Sequence, residues 1–159
     1  MIPTSESTGI FIDADACPVR DEVLRVASRY KLPVHVVSNG SRPIRPSADP
    51  LVRLVIVNQT PDSADDWIAE RIGPSDVCVT ADIPLASRCL AKGARAVSPN
   101  GKHWTSDNIG NALAGREVSR HMRELGMTTG GGGTFSRSDR SRFLVALDTA
   151  VTAAMRGRR

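Results

Sequence analysis

The chain has 159 residues and a net charge of +4, and this length fits one domain that buries its own core. Its three cysteines lack C-x-x-C spacing, which argues against a disulfide framework or a zinc knuckle and favours a reduced, cytoplasmic protein. No apolar run approaches the roughly 20 residues that span a bilayer, so no membrane association is expected. Residues 1–8 are expected to be extended or disordered, without the pattern of a signal peptide.

The first hundred residues alternate between strand and helix patterns. Apolar runs predict strands at Ile10–Asp13, Val34–Val37, Leu51–Val57, Asp76–Thr80 and Ala94–Ser98. Amphipathic segments between them predict helices at Pro18–Tyr30, Asp62–Ile72 and Ile83–Lys92. Because a βαβ succession places its strands in parallel, we expect an α/β fold with a mainly parallel central sheet flanked by helices.

The pattern changes after Pro99. We predict a turn that buries Trp104, and then a helix over Ser106–Leu125 that two glycines weaken. Residues 127–138 include four consecutive glycines and are predicted to form a flexible lid or binding loop. Asp139–Met155 has the pattern of an amphipathic helix. With no internal repeat and no linker, residues 1–159 are predicted to form a single domain.

Positive charge is concentrated near the end of the chain. Residues 1–100 contain 11 basic and 12 acidic residues, whereas residues 101–159 contain 10 basic and 5 acidic ones. Such a division suits an acidic site beside a surface that binds phosphates, although solvated helix faces with a basic tail would give the same count. The candidate substrate-binding residues are Lys102, Arg137, Arg140 and Arg142. The alternative for Arg140 is a structural role, in which its guanidinium pairs with a carboxylate of the protein and does not bind substrate.

Two aspartates stand where the first predicted strand ends. Side chains two positions apart on an extended chain point the same way, so Asp13 and Asp15 are expected to project together. Close carboxylates repel each other, and a divalent cation with oxygen ligands, Mg²⁺ or Mn²⁺, relieves that repulsion. The alternative is that Asp15 caps the next helix while Asp13 is solvated. Cys17 is predicted to be unreactive, because adjacent carboxylates disfavour a thiolate.

Acidic residues recur at two further strand exits. Ligands of open parallel sheets bind outside the carboxyl ends of the strands, so these side chains are expected to share one edge. Acids in the first turn of a helix also favour the helix dipole, which is a purely structural explanation for some of them. The candidate metal ligands are Asp13, Asp15, Asp62, Asp65, Asp66 and Asp82.

Two classes of enzyme use such carboxylates. One is a group of phosphohydrolases in which the first Asp of an Asp-x-Asp motif is the nucleophile, followed by Ser or Thr, then Lys, then an acidic pair. Here the acidic pair Asp65 and Asp66 comes before Thr80 and Lys92, which is the wrong order for these enzymes. Hydrolysis of small phosphate esters is therefore kept as the alternative prediction. The other class is the PIN-like nucleases, in which acids at successive strand ends bind the metal that activates water.

Five segments in the same order resemble the signature blocks of the YaiI/YqxD family. The blocks are Asp13–Pro18, Asp62–Ile68, Thr80–Ala86, Ser98–Gly101 and Asp139–Phe143. The similarity extends from about residue 9 to about residue 150. It implies a PIN-like domain, for which a nuclease role is inferred from the fold.

These observations together predict a Mg²⁺- or Mn²⁺-dependent phosphodiesterase acting on nucleic acid, with RNA the favoured partner. Asp13, Asp66 and Asp82 are the predicted catalytic residues, holding the metal directly or through water. The contrasting possibility is a non-catalytic nucleic-acid-binding module that keeps the acids for folding or regulation.

Overall fold

A computed structural model describes residues 8–40, 43–60, 62–111 and 136–157. The predicted N-terminal segment up to residue 7, the predicted helix beyond residue 111 and the predicted glycine-rich loop up to residue 135 lie outside these residues.

Six strands form one sheet in the order β3-β2-β1-β4-β5-β6. Strands β1 to β5 are parallel, and β6 pairs antiparallel with β5. The bounds are β1 Ile10–Asp13, β2 Val34–Ser38, β3 Val52–Ile56, β4 Val77–Val79, β5 Arg95–Val97 and β6 His103–Trp104. The five predicted strands are confirmed to within one residue at each end. Strand β6 replaces part of the predicted turn, because a two-residue strand has no periodic pattern in the sequence.

The helices cover both faces of the sheet, as expected for an α/β fold. Their bounds are α1 Arg20–Tyr30, α2 Ser63–Arg71, α3 Ile83–Ala91 and α4 Arg137–Gly157, with a 3-10 turn at Ala14–Ala16 and helical backbone at 106–111. Helices α1 and α4 pack on one face, and α2 and α3 pack on the other. In the part of the chain that the structure describes, no helix is long and apolar enough to cross a membrane.

Two predicted helix starts are displaced by two residues each. The helix expected from Pro18 begins at Arg20, after the 3-10 turn. Helix α4 begins two residues before the expected Asp139. There the Asp139 amide donates to Ser136 Oγ at 3.1 Å, and the Ser136 amide donates to the Asp139 carboxylate at 3.0 Å. This reciprocal pair of bonds is a capping box, which fixes the start of the helix.

Strand β1 lies in the middle of the core and alternates between its two faces. Ile10 and Ile12 pack toward α1 and α4, whereas Phe11 packs toward α2 and α3. Since side chains alternate along a strand, Asp13 follows Phe11 on the α2–α3 side of the sheet edge.

The strand order reverses between β1 and β4. From β1 the sheet continues to β2 and β3 in one direction, and from β4 to β5 and β6 in the other. Such a reversal leaves a crevice at the carboxyl ends of the two central strands, where doubly wound proteins bind ligands. Asp13 ends one of these strands and Thr80 follows the other.

Candidate active site

Asp13 is the last residue of β1, at the point where the strand order reverses, and is 7% exposed. Thr80, which is 1% exposed, donates a hydrogen bond from its hydroxyl to Asp13 Oδ2 at 3.1 Å. The same hydroxyl accepts a hydrogen bond from the Asp82 amide at 2.9 Å. Thr80 therefore couples the end of β1 to the residues that begin α3.

The surroundings of Asp13 favour its neutral form. Burial raises the pKa of Asp13, and the charges of Asp82 and Asp15 raise it further, while the hydrogen bond from Thr80 acts in the opposite direction. A carboxylate in such a place is stabilised by a cation.

Asp82 begins α3 and has a structural role of its own. Its carboxylate accepts a hydrogen bond from the Leu85 amide at 2.9 Å, which is a side-chain N-cap. The capping bond holds the negative charge of Asp82 at the helix start, where that charge raises the pKa of Asp13.

Helix α2 brings Asp65 to this cluster. Burial, followed by the charges of Asp82, Asp13 and Asp62, raises the pKa of Asp65 from its ordinary value of 3.8 to about 7, with Arg88 opposing. Asp62 is exposed just before α2 and makes no side-chain capping bond.

Asp66, which was predicted to hold the metal together with Asp13 and Asp82, pairs with an arginine in the structure. It is 54% exposed and pairs with Arg88 Nη1 at 2.7 Å. Neighbouring residues of a helix point about 100° apart, so only one of two successive side chains can face the sheet edge. The structure places Asp65 in that position, whereas the carboxylate of Asp66 pairs with Arg88.

The expectation that Asp13 and Asp15 project together assumed an extended chain, but the backbone at Asp15 is not extended. Asp15 lies in the 3-10 turn and accepts hydrogen bonds from Ser38 Oγ at 2.8 Å and from the Asn39 amide at 2.9 Å. It does not cap the following helix either, since α1 has no side-chain capping bond. Asp15 therefore ties the end of β1 to the end of β2, and it acts on Asp13 through its charge.

The donors in this cluster are carboxylate and hydroxyl oxygens, which suit Mg²⁺ or Mn²⁺. Among the described residues, no group of three Asp, Glu, His or Cys side chains is close enough to hold a metal ion. Mg²⁺ keeps several waters and is commonly bound by one or two carboxylates together with substrate phosphates. The donor chemistry therefore fits a metal that the substrate helps to bind.

The sequence profile described as "Uncharacterized BCR, YaiI/YqxD family" matches residues 11–153. The chain belongs to the YaiI/YqxD family. It is 58% identical over 149 residues to a UPF0178 protein of Rhodospirillum rubrum, covering 94% of this chain and 99% of that protein. It is 54% identical over 149 residues to a UPF0178 protein of Parvibaculum lavamentivorans, covering 94% and 97%. No solved structure matches the chain.

The predicted substrate-binding residues of this YaiI/YqxD family member lie on or near α4. Arg140 Nη1 donates to both carboxylate oxygens of Glu22, at 3.0 and 3.1 Å, and so joins α4 to α1. Arg142 pairs with Asp139 on its own helix. Lys102 lies over the ring of Trp104 at 5.6 Å, and Arg137 is the exposed first residue of α4. These contacts favour the structural alternative for Arg140.

Two polar residues of the YaiI/YqxD site were missed by sequence reasoning. Thr80 and Ser38 are buried hydroxyls that hold Asp13 and Asp15. The sequence pattern that could have identified them is a polar residue at the end of a buried strand: Ser38 is the last residue of β2, and Thr80 directly follows β4. Cys17 agrees with expectation, because burial raises the pKa of its thiol to about 11 and disfavours the thiolate.

Proposed function

We propose that this protein is a divalent-metal-dependent phosphodiesterase that hydrolyses nucleic acid, with RNA the favoured substrate. The observation that carries the proposal is the buried Asp13 with Asp82 and Asp65 beside it, at the point where the strand order reverses. Doubly wound sheets bind their ligands at this point. The PIN-like assignment and a cytoplasmic location are parts of the same proposal.

Burial of Asp13 is the strongest reason to assign a cation to the cluster. An isolated buried carboxylate is costly in its charged form, and the neighbouring carboxylates that raise the pKa of Asp13 and of Asp65 add to that cost, which a counter-charge would relieve. Asp13 and Asp82 would supply oxygen ligands, while Asp15 and Asp62 would orient the site. Bound Mg²⁺ or Mn²⁺ would lower the pKa of a water molecule and offset the charge of the scissile phosphate.

Asp65 is suited to moving the proton in this reaction. Its carboxylate lies close enough to Asp13 and Asp82 for their charges to raise its pKa, and a carboxylate beside the reacting groups can act as a general base. We assign to its carboxylate the proton that the attacking water loses when the phosphorus–oxygen bond forms. The oxygen that leaves departs on the opposite side of the phosphorus and takes its proton from solvent water.

Adjacent residues of α2 provide a matched pair of variants. We would incubate labelled single- and double-stranded RNA and DNA with Mg²⁺, Mn²⁺ or a chelator, using wild type, Asp13→Asn, Asp65→Asn and Asp66→Asn. Cleavage should require metal, be lost in Asp13→Asn and fall about 100-fold or more in Asp65→Asn, as expected when a general base is removed. Asp66→Asn should retain activity, because its carboxylate pairs with Arg88.

Other results would favour the alternatives. Equal losses in Asp65→Asn and Asp66→Asn would overturn the assignment of the base. Trapping of beryllium fluoride on Asp13, with hydrolysis of small phosphate monoesters, would show the phosphohydrolase chemistry instead. Binding of nucleic acid without metal-dependent cleavage would show that the protein is a non-catalytic nucleic-acid-binding module.

A further inference from the structure

Two cavities on the α1 side of the sheet share Arg20, Ile44 and Arg45 in their linings, and together they are called the groove. Its inner part, of about 220 Å³, has an apolar floor that includes Leu24, Val36 and Leu54. Its outer part, of about 230 Å³, is lined by Ala14 and Cys17. Ala14 directly follows Asp13 and begins the turn that contains Asp15, so the outer part of the groove reaches the sheet edge at which both residues lie.

Two arginines line both parts of the groove. Arg20 comes from α1, and Arg45 comes from the loop that follows β2. Arg20 Nη1 donates a hydrogen bond to the Arg45 carbonyl at 3.1 Å, which ties the loop to the helix. No carboxylate lines either part, and within the described ranges neither guanidinium forms an ion pair. The groove is therefore positive at its sides and apolar at its floor.

We propose that this groove binds one nucleotide of a single-stranded nucleic acid, the nucleotide that adjoins the scissile phosphate. The base would rest on the apolar floor, and its phosphate would lie between Arg20 and Arg45. Guanidinium groups bind phosphate through paired hydrogen bonds. Apolar side chains can hold a base that has left its stack. The inner volume is below the roughly 300 Å³ of pockets for drug-sized ligands, which suits a single base. The identity of the ligand rests on the proposed function.

Arg53 provides a control with the same change of charge. It is an exposed residue of β3, the strand whose Val52 and Leu54 line the groove, and it pairs in register with His35 of β2. Because side chains alternate along a strand, Arg53 points away from the groove. Arg45 forms no ion pair within the described residues, so Arg45→Gln is expected to fold like the wild type.

The experiment measures binding of a fluorescent 12-nucleotide single strand by anisotropy, with chelator present to prevent turnover, over a range of salt. Arg45→Gln should weaken binding and reduce the log–log salt slope by about 0.7, the value for one lost contact to a single-strand phosphate. Arg53→Gln should leave affinity and slope unchanged. Ile44→Ser, which alters the apolar lining, should weaken binding with little change in slope.

Several outcomes would overturn the groove assignment. If Arg45→Gln and Arg53→Gln change strand affinity and salt slope equally, the groove assignment is wrong. It is also wrong if Arg45→Gln weakens binding of a blunt duplex as much as binding of the single strand. If free nucleoside monophosphate binds to the protein but the single strand does not, the ligand of the groove is a small nucleotide and not a strand. If no metal supports cleavage but Arg45→Gln still weakens strand binding, the groove stands and the proposed function fails. If cleavage requires metal but Arg45→Gln does not weaken strand binding, the proposed function stands and the groove assignment fails.

Discussion

Replacing Asp65 by Asn should stabilise the metal-free protein at neutral pH but not near pH 4. Burial and the charges of Asp82, Asp13 and Asp62 raise the pKa of Asp65 from 3.8 to about 7. Between these pH values the folded protein holds a proton that the unfolded chain has released. The free energy of unfolding therefore falls as the pH rises from about 4 to about 7, and it is constant with respect to this group outside that window.

The size of the effect follows from the two pKa values and from exposure. Each pH unit between them corresponds to about 1.4 kcal/mol for a fully buried group. Because Asp65 is only partly buried, solvent screening reduces the total to about 1–2 kcal/mol. For a chain of this length, Asp65→Asn should melt about 2–8 °C above wild type at pH 8 and at the wild-type temperature near pH 4.

Thermal melts in chelator from pH 4 to pH 8 test this expectation. Asp66→Asn is the control, since its exposed ion pair with Arg88 is worth at most about 1 kcal/mol and its loss brings no gain at pH 8. Mn²⁺ should raise the melting temperature of wild type more than that of Asp65→Asn, because the cation offsets the same charges. A difference between Asp65→Asn and wild type that does not change with pH would refute the reasoning.

Three further variants test the contacts around the site. Thr80→Val removes the hydroxyl shared by Asp13 and the Asp82 amide, and should lower the free energy of unfolding in urea by about 1–3 kcal/mol; an unchanged midpoint would deny that coupling. Gly101→Ala should destabilise by about 1–3 kcal/mol, because φ is +90° and a Cβ would lie 2.8 Å from the Arg142 carbonyl carbon. Gly110→Ala, where a Cβ meets nothing within 4 Å, is its control and should not destabilise. Arg140→Ala should lower the melting temperature through loss of the Glu22 pair while leaving the salt slope of nucleic-acid binding unchanged, whereas a reduced slope would restore Arg140 to the strand-binding surface.

The strands and helices were predictable because their signals are local. The run from Ile10 to Ile12 is continuously apolar because the strand is buried on both faces, and α1 repeats Val23, Val26 and Ala27 at helical spacing. Strand β6 was not predictable, because its two residues are set by pairing with β5 and not by any period of their own. The start of α4 moved to Arg137 because Ser136 and Asp139 cap each other.

By itself, the sequence determined the alternation of strands and helices and the placing of acidic residues after the first, third and fourth strands. Parallel strands then bring those residues to one edge, because their carboxyl ends all point the same way. Only the tertiary structure decided which carboxylates meet. Asp65 turns toward Asp13 while Asp66 turns toward Arg88, and Asp15 is held by Ser38 in a 3-10 turn. These choices depend on the rotation of α2 against the sheet and on hydrogen bonds between residues far apart in the chain, which no local pattern records.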